Sequence, residues 1–255
     1  MPELLDERLP GGQLTVGPHY LPESEVQGLL LDFDGTLVDS MPIFYPAWPA
    51  TCEALSLPRM ERTQFYGFAG VPMRAIIREI YQDEHGEECP TAFVDAFMQQ
   101  HKATAEGLEK TMGLPPRIEC VIALAERARA AGLPVALATS GEKSFVLRHL
   151  AHSGLDDMFS DELGNLVVAA DVAAGKPEPD IYLEAARRIG VEPSRCRAYE
   201  DGESGLLAAY RAGCHVIDVT GMDGYPAPEE LRVAKAAQVA ARDWLPSDDA
   251  ARGRL

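Results

Sequence analysis

The sequence predicts an α/β fold in which a doubly wound (Rossmann-like) parallel sheet carries an inserted α-helical cap domain. From Arg117 onward, short apolar runs of strand length alternate with helical segments, which is the pattern of parallel βαβ units. The first apolar run, residues 29–31, is all leucine, as expected for a strand covered on both faces. Residues 41–113 read as helical throughout and interrupt the alternation directly after that strand.

The elements can be assigned in order along the chain. Prolines at positions 42, 46 and 49 predict a first helix that is broken or starts late. We divide the chain into a core, residues 1–40 and 114–255, and a helical cap domain, residues 41–113. The predicted helices are 46–57, 71–82, 91–107, 118–132, 142–153, 177–189, 204–212 and 229–241, and the predicted strands are 29–31, 135–139, 166–169, 196–199 and 215–220.

Composition and charge limit the classes of ligand. The 40 acidic residues against 23 lysines and arginines give a net charge of −17, which disfavours nucleic acid as a ligand. The five cysteines form no CxxC pair, so neither a zinc site nor a disulfide framework is indicated. No apolar run approaches the roughly 20 residues of a membrane span. Residues 1–24 lack the pattern of a signal peptide; we expect a loosely packed lead-in and a cytoplasmic protein.

Two carboxylates follow the first predicted strand in the stretch LLLDFDGTLVDS. Asp32 and Asp34 come directly after the three leucines, and Gly35 follows them. If the strand continued, side chains two residues apart would share a face and could share one cation or one substrate. An ordinary alternative is a strand end followed by an Asp-Gly turn. Buried carboxylates need partners, so the later segments decide between these interpretations.

Polar residues also follow other predicted strands, at the edge where ligands bind in such folds. Taken singly, each is consistent with an ordinary structural role: a helix cap, a solvated loop lysine or a turn. The residues are Thr139, Ser140 and Gly141 after the strand at 135–139, Lys176 in the loop AAGKPEPD, and Glu200 and Asp201 after the strand at 196–199.

The order of these segments resembles the haloacid dehalogenase (HAD) superfamily. The chain has DFDGT, then Thr-Ser after a strand, then GKPEPDIYLEAARRIGV, and then YEDGESGLLAAYRAG. The resemblance extends from residue 29 to about residue 219. The helical insertion after the first motif is similar to the cap of the β-phosphoglucomutase-like phosphatase branch. The fold and the function that follow from the resemblance are expectations.

The resemblance implies separate roles for the two aspartates. Asp32 would be the nucleophile that attacks phosphorus to form an aspartyl-phosphate. Asp34 would protonate the leaving group and then take a proton from the hydrolytic water. Thr139 and Lys176 would contact the phosphoryl group, and Lys176 would also pair with Asp32. The implied phosphate-binding positions are Gly35, Thr139, Ser140, Gly141 and Lys176.

A cation is implied because a carboxylate must attack an anion. Mg²⁺ prefers oxygen ligands and suits this task. By resemblance its ligands are a side-chain oxygen of Asp32, the backbone carbonyl of Asp34, and Asp201. Glu200 would be a direct or a water-mediated ligand.

The resemblance also separates phosphate hydrolysis from its neighbouring chemistries. Halide displacement needs no acid at the position of Asp34 and no magnesium, so a dehalogenase fits poorly. In the resembling mutases, a histidine and an arginine of the cap hold the sugar phosphate. The matching positions here are Phe44 and Met73, with Arg74 adjacent, which favours hydrolysis over mutase activity.

The cap is expected to set substrate specificity. Tyr45, Arg74 and Lys102 are the candidate substrate contacts, although each also fits an exposed helix charge or a packed aromatic. The leading prediction is a phosphoric monoester hydrolase: a monomeric, cytoplasmic, Mg²⁺-dependent phosphatase acting on a small phosphorylated metabolite, a sugar or polyol phosphate. The alternatives are a β-phosphoglucomutase-like sugar phosphomutase and a metabolite-binding protein on a retired catalytic scaffold.

Overall fold

The computed structural model describes residues 15–16, 21–68 and 71–240, and this part of the chain forms two compact units. The core unit consists of the described residues up to 39 together with residues 117–227. The helical unit consists of the described residues of 40–116 together with residues 228–240. Most of the predicted lead-in, residues 1–14 and 17–20, lies outside the described residues.

Strands and helices are numbered here in chain order. Helices in the described residues are α1 (Met41–Ala54), α2 (Arg62–Gly67), α3 (Met73–His85), α4 (Thr91–Met112), α5 (Glu119–Ala130), α6 (Lys143–Ser153), α7 (Asp180–Arg188), α8 (Glu203–Arg211) and α9 (Glu229–Ala240). Strands in the described residues are β1 (Thr15–Val16), β2 (Gly28–Leu31), β3 (Val135–Thr139), β4 (Leu166–Val168), β5 (Cys196–Glu200) and β6 (His215–Asp218). Nowhere in the described ranges is a helix both long and apolar enough to cross a membrane.

The core unit is built on one sheet with the strand order β1-β6-β5-β2-β3-β4. Strands β2 to β6 are parallel to their neighbours, and the two-residue β1 pairs antiparallel with β6 at one edge. Leu29 and Leu31 pack in one hydrophobic cluster with α5 and α6, whereas Leu30 packs in another with α7 and α8. Because successive strand side chains point to opposite faces, the leucine run serves both layers. The predicted doubly wound parallel α/β fold is confirmed.

The helical unit packs α1 and α3 against α4, and α2 against α9. Trp48 and Phe97 lie in its interior, with ring centroids 5.0 Å apart. Gln238 of α9 donates a hydrogen bond to the backbone oxygen of Gly67 at 3.1 Å. The helix at 229–240, which the sequence division assigns to the core, therefore groups with the helical insertion in the structure.

The prediction that α1 is broken or starts late is wrong, because α1 runs without a break from Met41 to Ala54. Pro42 occupies the first turn, where a helix needs no donor from the backbone. Pro46 and Pro49 lie inside the helix, and each removes one backbone donor. Burial of one face, which includes Ile43 and Trp48, compensates for the two missing intrahelical hydrogen bonds.

Candidate active site

The site begins in the tight turn that follows β2, at the centre of the sheet. The strand ends at Leu31, so the i, i+2 carboxylates Asp32 and Asp34 are presented by a turn rather than by a continuing strand. Gly35 adopts a left-handed conformation with φ of 79°, which glycine tolerates without strain. Its backbone N–H donates to the Val38 oxygen at 2.8 Å, and its own oxygen accepts from the Tyr225 hydroxyl at 2.7 Å.

Lys176 brings two of the strand-end carboxylates together. Its Nζ donates to Asp32 Oδ1 and to Glu200 Oε1, each at 2.5 Å. The three side chains are 3 to 8% exposed, so the ion pairs are screened very little by solvent. Since Lys176 is 144 residues from Asp32 in the chain, this contact depends on the sheet topology.

Glu200 makes further hydrogen bonds that the sequence did not predict. The Tyr182 hydroxyl donates to Glu200 Oε1 at 2.7 Å, and the backbone N–H groups of Asp201 and Gly202 donate to Oε2 at 3.1 and 3.3 Å. Tyr182 is fully buried in α7, and its ring centroid lies 5.3 Å from the Lys176 Nζ. A buried tyrosine hydroxyl needs a polar partner, and this one finds it in the site.

Burial and charge shift the pKa values of these groups in different directions. Burial, followed by repulsion from Glu200, raises the pKa of Asp32 to about 7, against the opposing effect of Lys176. Burial alone would lower the pKa of Lys176, but attraction to the Asp32 and Glu200 carboxylates raises it above its ordinary value. Burial and the neighbouring Glu200 raise the pKa of Tyr182 well above the ordinary range, so its hydroxyl remains a donor.

Three carboxylates form a cluster with the composition of a cation site. Asp32, Glu200 and Asp201 each offer an oxygen atom, and these atoms lie within 4.8 Å of one another. A Cβ atom at Gly35 would lie 2.2 Å from Asp201 Oδ2, so the turn approaches this carboxylate more closely than any other residue type allows. Clustered carboxylate oxygens are ligands that Mg²⁺ and other hard cations prefer, so the residues fit a metal ion.

Thr139 and Gly141 form a polar corner after β3. The Gly141 N–H donates to Thr139 Oγ1 at 2.9 Å, which orients the buried hydroxyl. A Cβ atom at Gly141 would lie 3.7 Å from Asp34 Oδ2, so this corner lies beside the proposed acid. Ser140, between them in the chain, is exposed.

The three candidate substrate residues of the cap all lie in the helical unit. The Tyr45 ring is 5.5 Å from the Phe65 ring, so it is a packed aromatic residue. Arg74 Nη1 forms an ion pair with Asp95 at 2.8 Å, between α3 and α4. Lys102 is exposed on α4. The contacts of Tyr45 and Arg74 within the helical unit are those of a packed aromatic residue and of an exposed helix charge, which are the structural alternatives given by the sequence.

Comparison with known proteins agrees with this arrangement of fold and site. The family model for haloacid dehalogenase-like hydrolases matches residues 26–213. The chain belongs to this family. The family prediction is therefore confirmed, as is the prediction of an enzyme of the hydrolase class.

Relatives of this HAD-like hydrolase include two phosphatases of Escherichia coli K12. Hexitol phosphatase A is 32% identical over 216 residues, which cover 80% of this chain and 88% of that protein. Fructose-1-phosphate phosphatase YqaB is 30% identical over 193 residues, which cover 75% of this chain and 95% of that protein. Among solved structures, a family IA, variant 3 HAD hydrolase from Entamoeba histolytica has the same fold. It has a TM-score of 0.65 at 20% identity and covers 82% of this chain and 100% of that one.

Proposed function

We propose that this phosphoric monoester hydrolase is a Mg²⁺-dependent phosphatase that acts on a small sugar or polyol phosphate through an aspartyl-phosphate intermediate. The observation that carries the proposal is the contact of Asp32, at the end of the central strand, with the buried ammonium of Lys176 at 2.5 Å. A phosphatase that works through an aspartyl-phosphate needs a carboxylate nucleophile beside a positive charge that can also contact the phosphoryl group. Relatives named for hexitol and fructose 1-phosphate phosphatase activity support the substrate class.

In the first half-reaction, an Asp32 carboxylate oxygen forms a bond to phosphorus while the bond from phosphorus to the ester oxygen breaks. The leaving oxygen takes a proton from the carboxyl group of Asp34, and the product alcohol departs. Lys176 offsets the negative charge of the phosphoryl oxygens, and the Thr139 hydroxyl donates to one of them. Asp34 is half-buried beside the Thr139 corner, so the proposed acid lies next to the proposed phosphate-binding hydroxyl.

In the second half-reaction, water attacks the phosphorus of the aspartyl-phosphate. Asp34, now ionised, takes a proton from this water, while the bond from phosphorus to the Asp32 oxygen breaks and inorganic phosphate leaves. Asp32, Asp201 and the backbone carbonyl of Asp34 would hold the metal ion. When bound, Mg²⁺ supplies positive charge that reduces the repulsion between the nucleophile and the phosphate.

The test is phosphate release from a panel of sugar and polyol phosphates, with Mg²⁺ or with excess EDTA. We expect turnover of at least one member, its loss in EDTA, and its loss in Asp32→Asn. Asn has nearly the shape of Asp but cannot attack phosphorus as a carboxylate. Wild-type turnover by Asp32→Asn would contradict the nucleophile assignment.

The same panel separates hydrolysis from isomerisation. We expect free phosphate to exceed any isomerised sugar phosphate, because the Phe44 ring packs 6.2 Å from the His101 ring and offers no polar group to a sugar. Isomerised product in excess over phosphate would favour the mutase alternative. The monomeric state and the cytoplasmic location stay predictions of the sequence.

A further inference from the structure

We infer that Tyr182 and Glu200 form a clamp that positions Lys176, and that Glu200 serves this clamp rather than binding the metal ion directly. The inference rests on the proposed phosphatase function. It assigns a role to Tyr182, a residue of the GKPEPDIYLEAARRIGV segment for which no role is predicted from the sequence. It also removes direct metal binding from the two possibilities expected for Glu200, a direct or a water-mediated ligand.

The first step is the number of hydrogen bonds that Glu200 accepts. A carboxylate has about four acceptor positions, two on each oxygen. Lys176 and the Tyr182 hydroxyl donate to Oε1 at 2.5 and 2.7 Å. The backbone N–H groups of Asp201 and Gly202 donate to Oε2 at 3.1 and 3.3 Å. These four donors use the acceptor capacity of the carboxylate, which leaves no position for a cation in the observed geometry.

The second step is how tightly the carboxylate is packed. Glu200 is 2% exposed, and it lies against the first turn of α8. A Cβ atom at Gly205 would lie only 1.8 Å from Glu200 Oε1, so the helix backbone occupies the space beside the carboxylate. Rotation of the carboxylate toward a cation would break the contacts with Lys176 and Tyr182. Asp201 and Asp32 can bind the cation without this loss.

The third step is the position of Tyr182 relative to the lysine. Its hydroxyl shares the Oε1 acceptor with Lys176, and its ring centroid lies 5.3 Å from the Lys176 Nζ. An ammonium group at this distance from an aromatic ring is attracted to it. Tyr182 therefore contacts both Lys176 and Glu200. It is a positioning residue, because these contacts hold Lys176 beside the reacting carboxylate of Asp32.

The first test compares Tyr182→Phe with wild type in the steady-state hydrolysis of p-nitrophenyl phosphate at saturating Mg²⁺. Phe keeps the ring and removes only the hydroxyl. We expect kcat to fall about tenfold, the effect of losing one hydrogen bond to a charged group. Tyr199→Phe is the matched control, because Tyr199 is also buried and its hydroxyl interacts with Arg197 instead. Equal kcat in Tyr182→Phe and Tyr199→Phe would overturn the role of Tyr182.

The second test measures Mg²⁺ binding alone by isothermal titration calorimetry. We expect Tyr182→Phe to keep the Mg²⁺ dissociation constant within about threefold of wild type. We expect Asp201→Asn to raise it about tenfold more than Glu200→Gln does, because Asp201→Asn changes a ligand, whereas Glu200→Gln removes only a nearby negative charge. An equal loss of affinity in Glu200→Gln and Asp201→Asn would show that Glu200 is a ligand and would overturn the inference. If wild type released no phosphate from any substrate, the proposed function would fail, while the titration would still decide the role of Glu200.

Discussion

His101 provides a quantitative test of how the helical unit is held together. Its ring is only 4% exposed, and its centroid lies 5.5 Å from that of Trp48 and 6.4 Å from that of Phe97. The ring makes a hydrogen bond with the backbone of Phe44, whereas its Nε2 atom finds no hydrogen-bond partner within the described residues. Burial lowers the pKa of His101 from 6.5 to about 4, because the surroundings do not solvate a charged imidazole.

The sign of the effect on stability follows from proton binding. Between pH 6.5 and about 4, an unfolded chain protonates this histidine while the folded chain keeps it neutral. The stabilisation is therefore complete above pH 6.5 and is lost progressively as the pH falls toward 4. The lowered pKa of His101 corresponds to a loss of about 2 kcal/mol at a pH of about 5, and about 3 kcal/mol at the acid limit.

The perturbation is His101→Phe, which cannot titrate and resembles the neighbouring aromatic side chains. Urea denaturation is followed by the fluorescence of Trp48, with the second tryptophan, Trp244, replaced by phenylalanine in every variant. When the pH is lowered from about 7.5 to about 5, we expect the free energy of unfolding of the chain that carries only Trp244→Phe to fall by about 2 kcal/mol more than that of the chain that also carries His101→Phe. His152→Phe is the control for removing a histidine, because His152 is exposed on α6. Equal losses of unfolding free energy with and without His101→Phe would refute the argument.

Three other substitutions test individual contacts. Gly205→Ala places a Cβ atom 1.8 Å from Glu200 Oε1 and should lower kcat/KM about tenfold or more in p-nitrophenyl phosphate hydrolysis. Gly35→Ala puts a side chain at φ of 79° and 2.2 Å from Asp201 Oδ2, so calorimetry should show weaker Mg²⁺ binding. Asn165→Ala removes three hydrogen bonds and should destabilise the core unit by about 2–3 kcal/mol in urea denaturation. An unchanged kcat/KM in Gly205→Ala, an unchanged Mg²⁺ affinity in Gly35→Ala, or an unchanged free energy of unfolding in Asn165→Ala would contradict the corresponding expectation.

The fold could be predicted from the sequence where a local pattern alone determines the type and the bounds of a strand or helix. The strand at 135–139 was placed correctly because its apolar run is short and is covered on both faces. The sequence prediction ends the helix that begins at residue 91 at Gly107, but α4 continues to Met112. An isolated glycine weakens a helix by only about 1 kcal/mol relative to alanine, which packing can offset. Gly113, followed by two prolines within three residues, is the stronger stop.

Longer-range packing was not predictable from local patterns. The grouping of α9 with the helical unit depends on contacts such as that between Gln238 and Gly67, which are 171 residues apart in the chain. Likewise, the prolines of α1 act on single backbone hydrogen bonds, whereas the burial of Trp48 depends on how α4 packs beside it. Local propensity favours a break in α1, and tertiary packing overrides it.

The candidate site was predictable in part because the topology of a parallel sheet brings strand ends to one edge. That rule indicates Asp32 and Glu200, and the resemblance adds Lys176, but neither identifies Tyr182. Tyr182 lies in the apolar pattern of α7, where any aromatic residue would satisfy the helical periodicity. A physical signal exists nonetheless: a tyrosine on the buried face of a helix needs a partner for its hydroxyl.

The same rule about buried polar groups distinguishes Tyr182 from His101. The Tyr182 hydroxyl has a carboxylate partner, and burial together with Glu200 raises its pKa, so it stays a neutral donor. In His101, burial lowers the pKa, so the ring stays neutral even though no described group accepts from or donates to its Nε2. Neutrality in Tyr182 maintains a contact on which the proposed chemistry depends. In His101, neutrality preserves an apolar helix interface, and protonation of the ring at acid pH should weaken that interface.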